Sequence, residues 1–405
     1  MAYCITRVVD VGSNSHKNDV QKEKNAKSIG SDMNATISSS SKILGVFFTS
    51  GVSVSMWKKQ GMLSREVSLY QNLVGNPFEK IYFFTYGVED PDVIAQLQVI
   101  NIFVMQKKSW LPNILYSFVL PFVYARELRE CAVYKTTQVF GSWTAVIAKW
   151  LYKKPLVVRA GFALSTNLRR QGWLSRLLAR GIEYVALKAA DVVIVTTEAI
   201  KDLYKKITDR ITIIPNFVDT KLFVPNVEAL GGKIRVLFVG RLSYEKNIAQ
   251  LIAALKRKAN FQLNIIGDGP ERKNLEAAAV GAEATIHFVG SVSYEKLPAY
   301  FAASDVFVLP SLFEGHPKVL VEAMAAGLPI VGTRVRGIET LIDDRVTGVL
   351  VGTTSEEIRR GIEEVVENAA LRSSLKRNAR EYAVAHFGFE KIVELEREVY
   401  REVLC

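Results

Sequence analysis

The stretch IRVLFVGRLSYEKNIAQLIAAL (residues 234–255) decides the fold, because it turns a buried strand into a helix within one short loop. Its first six residues are almost all apolar, Gly240 ends the run, and a helical pattern begins near Ile248. Apolar strands that lead directly into helices are typical of parallel sheets with both faces covered. The stretch therefore predicts an α/β domain.

The same unit recurs along the chain. After residue 255, helical patterns begin near Glu271, Tyr294, Pro317, Ile338 and Ser355. The predicted strands of this half span residues 261–266, 285–289, 305–309, 329–332 and 349–351. The predicted strands of the preceding half span residues 43–48, 81–85, 98–105, 138–140, 156–159, 192–196 and 211–214. This alternation predicts two doubly wound Rossmann-like domains.

The two halves are joined by residues 215–232, which are rich in proline, asparagine and glycine, as is typical of a linker. The predicted domains are therefore 42–215 and 216–376. Residues 1–41 are polar and predict a disordered tail. An amphipathic segment at about 377–404 predicts a closing helix, which either stays on the second domain or returns to the first.

The composition fits a folded protein of two domains, with 405 residues of which 49% are hydrophobic and 23% charged. Three distant cysteines suit a reducing cytoplasm, and four scattered histidines predict no metal site. The net charge of +11 is uneven, since residues 149–210 hold 13 Lys or Arg against 5 Asp or Glu. Such a region favours an anionic partner, which leaves open phosphorylated lipids, membrane headgroups, nucleic acid and phosphorylated sugars.

Ligands of such sheets bind where strands lead into helix N-termini, whose N–H groups suit phosphates and hydroxyls. In the first loop of the second domain, Arg241 and Lys246 follow Gly240. They form either a clamp for a diphosphate or two solvated surface cations. In the next loop, Gly267 opens a tight Gly-Asp-Gly-Pro turn.

A third loop, SLFEGHPKVLVEAMAAGLP (311–329), carries two acids around a predicted helix N-terminus. Glu314 precedes the helix, beside Gly315, where backbone can approach a ligand closely. Glu322 lies on the helix among apolar residues, so its carboxylate faces a cleft or is buried with a partner. Lys318 is its neighbour at i,i+4 spacing. Two such acids suit a ligand that offers both hydroxyls and phosphates.

These motifs, in this order, resemble the large retaining glycosyltransferase family four, which has the two-domain GT-B architecture. The resemblance covers nearly all of residues 211–350 and is a general likeness over 42–210. It rests on VLFVGRL (236–242), IIGDGP (265–270), FVG (288–290) and the run from EGHP to AAGLP (314–329). It implies that the domains face each other across a cleft, and that the closing helix packs back on the first domain.

The resemblance also implies roles for single residues. Arg241 and Lys246 would bind the donor diphosphate and stabilise the leaving nucleotide, and Glu314 would hold the hydroxyls of the donor sugar. Glu322 would accept hydrogen bonds from the ribose, and the base would lie near residues 290–292. The other expected donor-binding residues are Gly240, Gly267, Gly290, Val292, Gly315, His316, Pro317, Lys318 and Val319.

The implied reaction moves a sugar from a UDP- or GDP-sugar to a glycan or lipid-linked acceptor, with retention and without metal, cofactor or nucleic acid. Many members of the family place a histidine after a strand like 156–159. Here Ala-Gly-Phe follows, and Arg159 or a main-chain group is expected to substitute. Gly61 and Arg65, which follow the first strand, are expected on the acceptor side.

Other interpretations remain open at this point. A nucleotide-sugar epimerase of the same architecture and a catalytically inactive GT-B-like binding or scaffold protein are the alternatives. The basic, amphipathic segment 168–180 fits either an ordinary surface helix or a peripheral contact with the anionic inner face of a membrane. The Asp-Pro-Asp run at 90–92 matches either a metal motif of a different glycosyltransferase fold or a solvated turn.

Overall fold

The computed structural model describes residues 42–162, 172–225 and 232–405. The predicted tail therefore lies outside the described residues, as does the beginning of the basic segment 168–180.

Seven parallel strands form the first sheet, in the order β3-β2-β1-β4-β5-β6-β7. They are β1 (Ile43–Phe47), β2 (Lys80–Phe84), β3 (Ile102–Met105), β4 (Val133–Thr136), β5 (Leu156–Ala160), β6 (Val192–Val195) and β7 (Ile211–Ile213). The helices between them are α1 (Val54–Lys59), α2 (Leu63–Leu73), α3 (Pro91–Val99), α4 (Asn113–Val123), α5 (Ala125–Glu130), α6 (Ser142–Tyr152), α7 (Gly172–Ala189) and α8 (Glu198–Tyr204).

Six parallel strands form the second sheet, in the order β10-β9-β8-β11-β12-β13. They are β8 (Ile234–Val239), β9 (Phe261–Ile266), β10 (Thr285–Gly290), β11 (Val306–Leu309), β12 (Ile330–Thr333) and β13 (Val349–Val351). The helices of this part are α9 (Ile248–Leu255), α10 (Arg272–Ala279), α11 (Leu297–Ala302), α12 (Lys318–Ala325), α13 (Ser355–Glu367), α14 (Ala369–Phe387) and α15 (Phe389–Leu404).

Both sheets therefore have the strand order of a doubly wound fold, with the order reversing beside the first strand of each. The prediction of two Rossmann-like α/β domains is confirmed. Each sheet has its own buried core of Val, Ile, Leu and aromatic side chains. Among the helices of the described residues, none is both long and apolar enough to span a membrane.

Several predicted elements were wrong in detail. Residues 138–140 do not form a strand; the strand is β4, which ends at Thr136. The apolar pattern did not predict β4, because the charged Lys135 interrupts its apolar run. Residues 98–101 end α3, with Asn101 in a left-handed conformation (φ 57°) before β3. The helix expected near Ile338 is a series of turns over residues 335–342. The segment at 377–404 contains the end of α14 and all of α15, which meet at Gly388.

The last helix, α15, packs on the first sheet through Ile392, Val399 and Tyr400, which join the core of that sheet. In the same place a buried ion pair joins Lys135 Nζ to Glu396 Oε2 at 2.7 Å, with both side chains 0% exposed. Burial favours the neutral acid, but Lys135 and Arg159 outweigh it and lower the pKa of Glu396. Glu396 is therefore ionised, and its ion pair with Lys135 holds α15 against β4.

We predict that Glu396→Ala lowers the free energy of unfolding by about 3–5 kcal/mol, because it leaves Lys135 buried without its counter-charge. Denaturant unfolding measures the loss. Glu398→Ala removes an exposed glutamate of the same helix and is expected to stay within about 0.5 kcal/mol of wild type. The double variant Lys135→Met, Glu396→Leu should recover part of the loss, and equal destabilisation by both glutamate variants would contradict the assignment.

Candidate functional site

A pocket of about 320 Å³ lies where the carboxyl ends of the two sheets meet. The loop after β8 and the loop after β11 are joined there, since the Leu312 N–H donates to Glu245 O at 2.8 Å. The Asn247 amide donates to Pro310 O at 3.1 Å across the same two loops. The pocket is lined by Gln138, Gly161, Phe162, Asn216, Glu245, Lys246, Phe313, Glu314, Gly315, His316 and Lys318.

Two of the predicted catalytic residues meet in this pocket. Lys246 Nζ lies 2.5 Å from Glu314 Oε1, and the Ser311 hydroxyl donates to the same oxygen at 2.7 Å. Lys246 is thus held by a carboxylate and is no solvated surface cation. Arg241, five residues earlier, is exposed at the start of the loop. The loop after β8 therefore carries two cations, Arg241 and Lys246. The carboxylate of Glu314, on the loop after β11, contacts both Lys246 and Ser311.

Close backbone contacts fix the loops that carry these residues. A Cβ at Gly267 would lie 1.9 Å from Gly240 O, and its φ of +130° also favours glycine. Gly315 approaches the first domain, since a Cβ there would lie 3.3 Å from Gly161 O. The turns that replaced the expected helix near Ile338 press on the same loop, because a Cβ at Gly337 would lie 2.3 Å from Glu314 O.

The second predicted acid, Glu322, is buried on α12 and pairs with a residue of the first domain. Arg65 Nη1 lies 3.2 Å from Glu322 Oε1, and Arg65 Nε lies 3.3 Å from Glu66 Oε1. Lys318 Nζ lies 2.5 Å from the same Glu66 oxygen. The expected neighbour of Glu322 at i,i+4 spacing, Lys318, thus has its ion pair with α2. Two acids and two cations form a closed, neutral cluster between α2 and α12.

Burial has opposite outcomes for the two acids of this cluster. It raises the pKa of Glu322 above its ordinary value, against the opposing charge of Arg65. For Glu66, Lys318 and Arg65 together overcome burial and lower the pKa to about 2. Arg65 also lies over the Tyr294 ring, 5.4 Å from its centre. Arg65, expected on the acceptor side, is therefore in contact with the predicted ribose-binding acid.

The other residues expected on the acceptor side lie elsewhere. Gly61 contacts the region expected to hold the base, since its carbonyl accepts from the Tyr294 N–H at 2.9 Å and a Cβ there would lie 3.1 Å from Val292 O. Arg159 donates to Glu396 and, at 3.3 Å, to the Asn216 amide oxygen. It is absent from the described residues that line the pocket.

A hydrogen-bonded chain connects Arg159 to the pocket. The Asn216 amide donates to the His316 carbonyl at 2.8 Å, and the His316 ring lies 3.3 Å from the same nitrogen. Burial, with the positive charges of Arg159 and Lys318, lowers the pKa of His316 to about 4. The imidazole beside Glu314 is therefore neutral at pH 7.

The remaining predicted donor residues surround the same loops. Pro317 precedes α12, Val319 lies half-buried in its first turn, and Gly290 ends β10 with a left-handed φ of +84°. The Asp-Pro-Asp run begins α3, where Asp90 accepts from the Asp92 N–H at 3.0 Å and pairs with Lys58.

The predicted site residues do not include Glu66 of the buried cluster or six residues that line the pocket: Gln138, Gly161, Phe162, Asn216, Glu245 and Phe313. Asn216 lies in the predicted linker 215–232, and its place directly after the first sheet was the available signal. Glu66 follows Arg65 on a helix pattern, but nothing in the sequence pairs it with a lysine 252 residues away. Gln138 was assigned to a strand that the structure does not contain.

Comparison with known proteins agrees with this geometry. The model for glycosyl transferases group 1 matches residues 221–382, and the model for Glycosyltransferase Family 4 matches residues 78–222. The two models together match residues 78–382, so each of the two domains is similar to a glycosyltransferase family. The boundary between the two matches lies near residue 222, between the two sheets.

Individual relatives are matched over part of their length. An uncharacterized glycosyltransferase of Methanocaldococcus jannaschii is 32% identical over 41% of this chain and 44% of its own. A GDP-mannose-dependent alpha-mannosyltransferase of Corynebacterium glutamicum is 36% identical over 33% of both chains. The solved structure of HepE from Anabaena, in complex with UDP and glucose, is 19% identical with a TM-score of 0.72, covering 89% of this chain and 100% of that chain. This last likeness shows the GT-B fold.

We predict that His316 makes the stability of the protein fall with acid. The unfolded chain takes up a proton as the pH falls through 6.5, whereas the folded imidazole takes one up only near pH 4. Stability is therefore lost across that window, by about 2–3 kcal/mol between pH 7 and 4.5.

Denaturant titrations at both pH values measure this loss, and His316→Gln should be less acid-sensitive than wild type by that amount. His386→Gln removes an exposed imidazole and should retain the wild-type dependence. Identical slopes for wild type and His316→Gln would show that His316 is not held neutral.

Proposed function

We propose that this protein moves a hexosyl group from a UDP- or GDP-sugar to a glycan or lipid-linked acceptor, with retention of configuration and without a metal ion. The observation that carries the proposal is the pocket in which Glu314 and Lys246 pair. The exposed Arg241 lies earlier on the loop that carries Lys246, and the buried Glu322 lies on α12, which follows Glu314. The donor classes agree with the names of related proteins, one described as GDP-mannose-dependent and one as bound to UDP and glucose.

The leaving group explains the two cations. When the bond between the sugar and the diphosphate breaks, negative charge grows on the β-phosphate oxygen. Arg241 and Lys246 follow β8 and offer a planar fork and a point charge for that oxygen and its neighbours. Glu314 holds the Lys246 ammonium in place before the reaction, so its stabilisation costs little reorganisation. We assign them the charge neutralisation that divalent metals provide in other transferases.

The two acids take different parts of the donor. Glu314 accepts hydrogen bonds from hydroxyls of the sugar, because its carboxylate lines the pocket. Glu322 accepts hydrogen bonds from the ribose, with Arg65 holding Oε1 in place. The base then lies by Gly290 and Val292. Acceptor attack from the same face as the departing phosphate lets that phosphate take the proton, and no protein base is needed.

Nucleotide binding tests the donor site. We predict that UDP or GDP raises the melting temperature by roughly 2–5 °C at saturation. Glu322→Ala and the size-conserving Glu322→Gln should weaken the binding of that nucleotide by about tenfold or more, since a charged acceptor of hydrogen bonds is lost. Glu283→Ala, an exposed site in the same domain, is the control. If neither nucleotide shifts the melting temperature, the donor-site proposal is wrong.

Turnover tests the role of the cations. With a competent donor and acceptor, we predict that Arg241→Ala and Lys246→Ala each lower kcat by about 10²–10³, whereas the exposed Lys273→Ala does not. A chelator should leave the rate unchanged, and the product should keep the anomeric configuration of the donor by NMR. A rate that requires added metal, or an inverted product, would refute those parts of the proposal. Conversion of the donor sugar without acceptor would indicate an epimerase instead.

A further inference from the structure

A helix of the first domain presents apolar side chains to the outside. In α4, Ile114, Leu115, Phe118, Val119, Phe122 and Val123 are all exposed and recur at helical spacing. Phe122 is 61% exposed, and Trp110, just before the helix, is 91% exposed. Core packing does not explain this stripe, because the opposite face of the helix already packs on the first sheet through Tyr116 and Leu120.

Two neighbouring helices extend the stripe. The Trp143 indole of α6 donates to the Ser117 hydroxyl of α4 at 2.7 Å, which joins the two helices side by side. Trp150 of α6 and Trp173 of α7 are exposed, as are Leu177 and Leu178 of α7. An apolar groove of about 480 Å³ runs between α6 and α7, lined by Trp143, Val146, Leu177, Leu178 and Val185, among others. We call the combined surface of α4, α6 and α7 the apolar face.

The segments that carry the apolar face are rich in positive charge. The three helices with their flanks (residues 107–130, 141–154 and 172–190) contain ten Lys or Arg and three Glu, a net charge of +7 of the +11 in the whole chain. The exposed part of α4 itself carries no charge. Apolar and tryptophan side chains with a basic rim are the composition of surfaces that insert into the headgroup region of anionic bilayers.

The apolar face also adjoins the proposed acceptor side of the pocket. Gln138 lines the pocket, and Phe140, two residues later, is exposed beside Trp143 with ring centres 5.3 Å apart. In a parallel sheet, α4, α6 and α7 all begin at the carboxyl edge, where the pocket lies. A bilayer on this face would therefore lie next to the pocket entrance.

We propose that the apolar face docks on an anionic lipid bilayer and presents the pocket to acceptors held at the membrane surface. A second copy of the chain fits less well as the occupant. In a two-fold dimer the same surface is used twice, and a net charge of +7 would face its own copy. The docking itself does not depend on the reaction, because it concerns a surface outside the donor site, whereas the presentation of acceptors rests on the proposed function.

Sedimentation of the full chain with vesicles tests the inference. We expect binding to vesicles of phosphatidylcholine mixed with phosphatidylglycerol to exceed binding to phosphatidylcholine alone by at least about tenfold, and to weaken with added salt. Leu115→Glu with Phe122→Glu should lower it by about tenfold or more, because both side chains are exposed on α4. Val280→Glu with Val346→Glu places the same charges on exposed positions of the second domain and should retain binding.

Melting temperature and nucleotide binding of the α4 variant confirm that it is folded, which keeps a docking failure distinct from a failure of the donor-site proposal. The inference is overturned if wild type ignores the anionic vesicles, or if the α4 variant binds them as wild type does. It is equally overturned if wild type is a dimer that the α4 variant converts to monomer while neither binds vesicles, since the occupant is then a second copy.

Discussion

The carboxylate of Glu396 has no exposed surface and two cations within reach, and the arrangement of the site depends on it. Lys135 of β4 holds one oxygen and Arg159 of β5 holds the other, so α15 is bound to the middle of the first sheet. A buried charge that loses its partner lowers the stability of the fold strongly, so the docking of α15 depends on the complete ion pair. Because α15 follows α14 directly, and α14 packs in the core of the second sheet, the pair also connects the two sheets.

The same cluster reaches the pocket through Arg159. Its second nitrogen donates to Asn216, and Asn216 holds the backbone of His316 in the loop that carries Glu314. A second connection runs between α2 and α12, where Arg65, Glu66, Lys318 and Glu322 neutralise one another. The groups of the second domain that we propose to bind the donor are thus positioned by charges of the first. Separating the domains would leave several buried charges without partners, so the pocket is organised before a ligand arrives.

Local sequence patterns predicted the parts of this structure that local physics determines. Strand and helix periodicity predicted the two sheets, and Lys246 and Glu314, which were predicted on loops after two different strands, both line the pocket. The missed strand β4 has a physical cause. Lys135 is a charged residue inside a fully buried strand, which only its partner on α15 makes tolerable. Partners separated by 237 to 261 positions leave no mark on a single sequence. The pairing of Lys318 with Glu66 and the anchoring of Arg159 by Glu396 were therefore not predictable.

The strand order of the first sheet explains why an apolar surface and a polar pocket adjoin. Helices that follow β3, β4 and β5 all begin at the edge where their strands end, and the same edge supplies Gln138 and Phe162 to the pocket. An apolar helix such as α4 needs a partner for its outer stripe, since such exposed surface favours association. If that partner is a bilayer, the short connection between Gln138 and α6, which begins at Ser142, keeps the membrane close to the pocket. An acceptor with a lipid anchor would then reach the site without leaving the membrane.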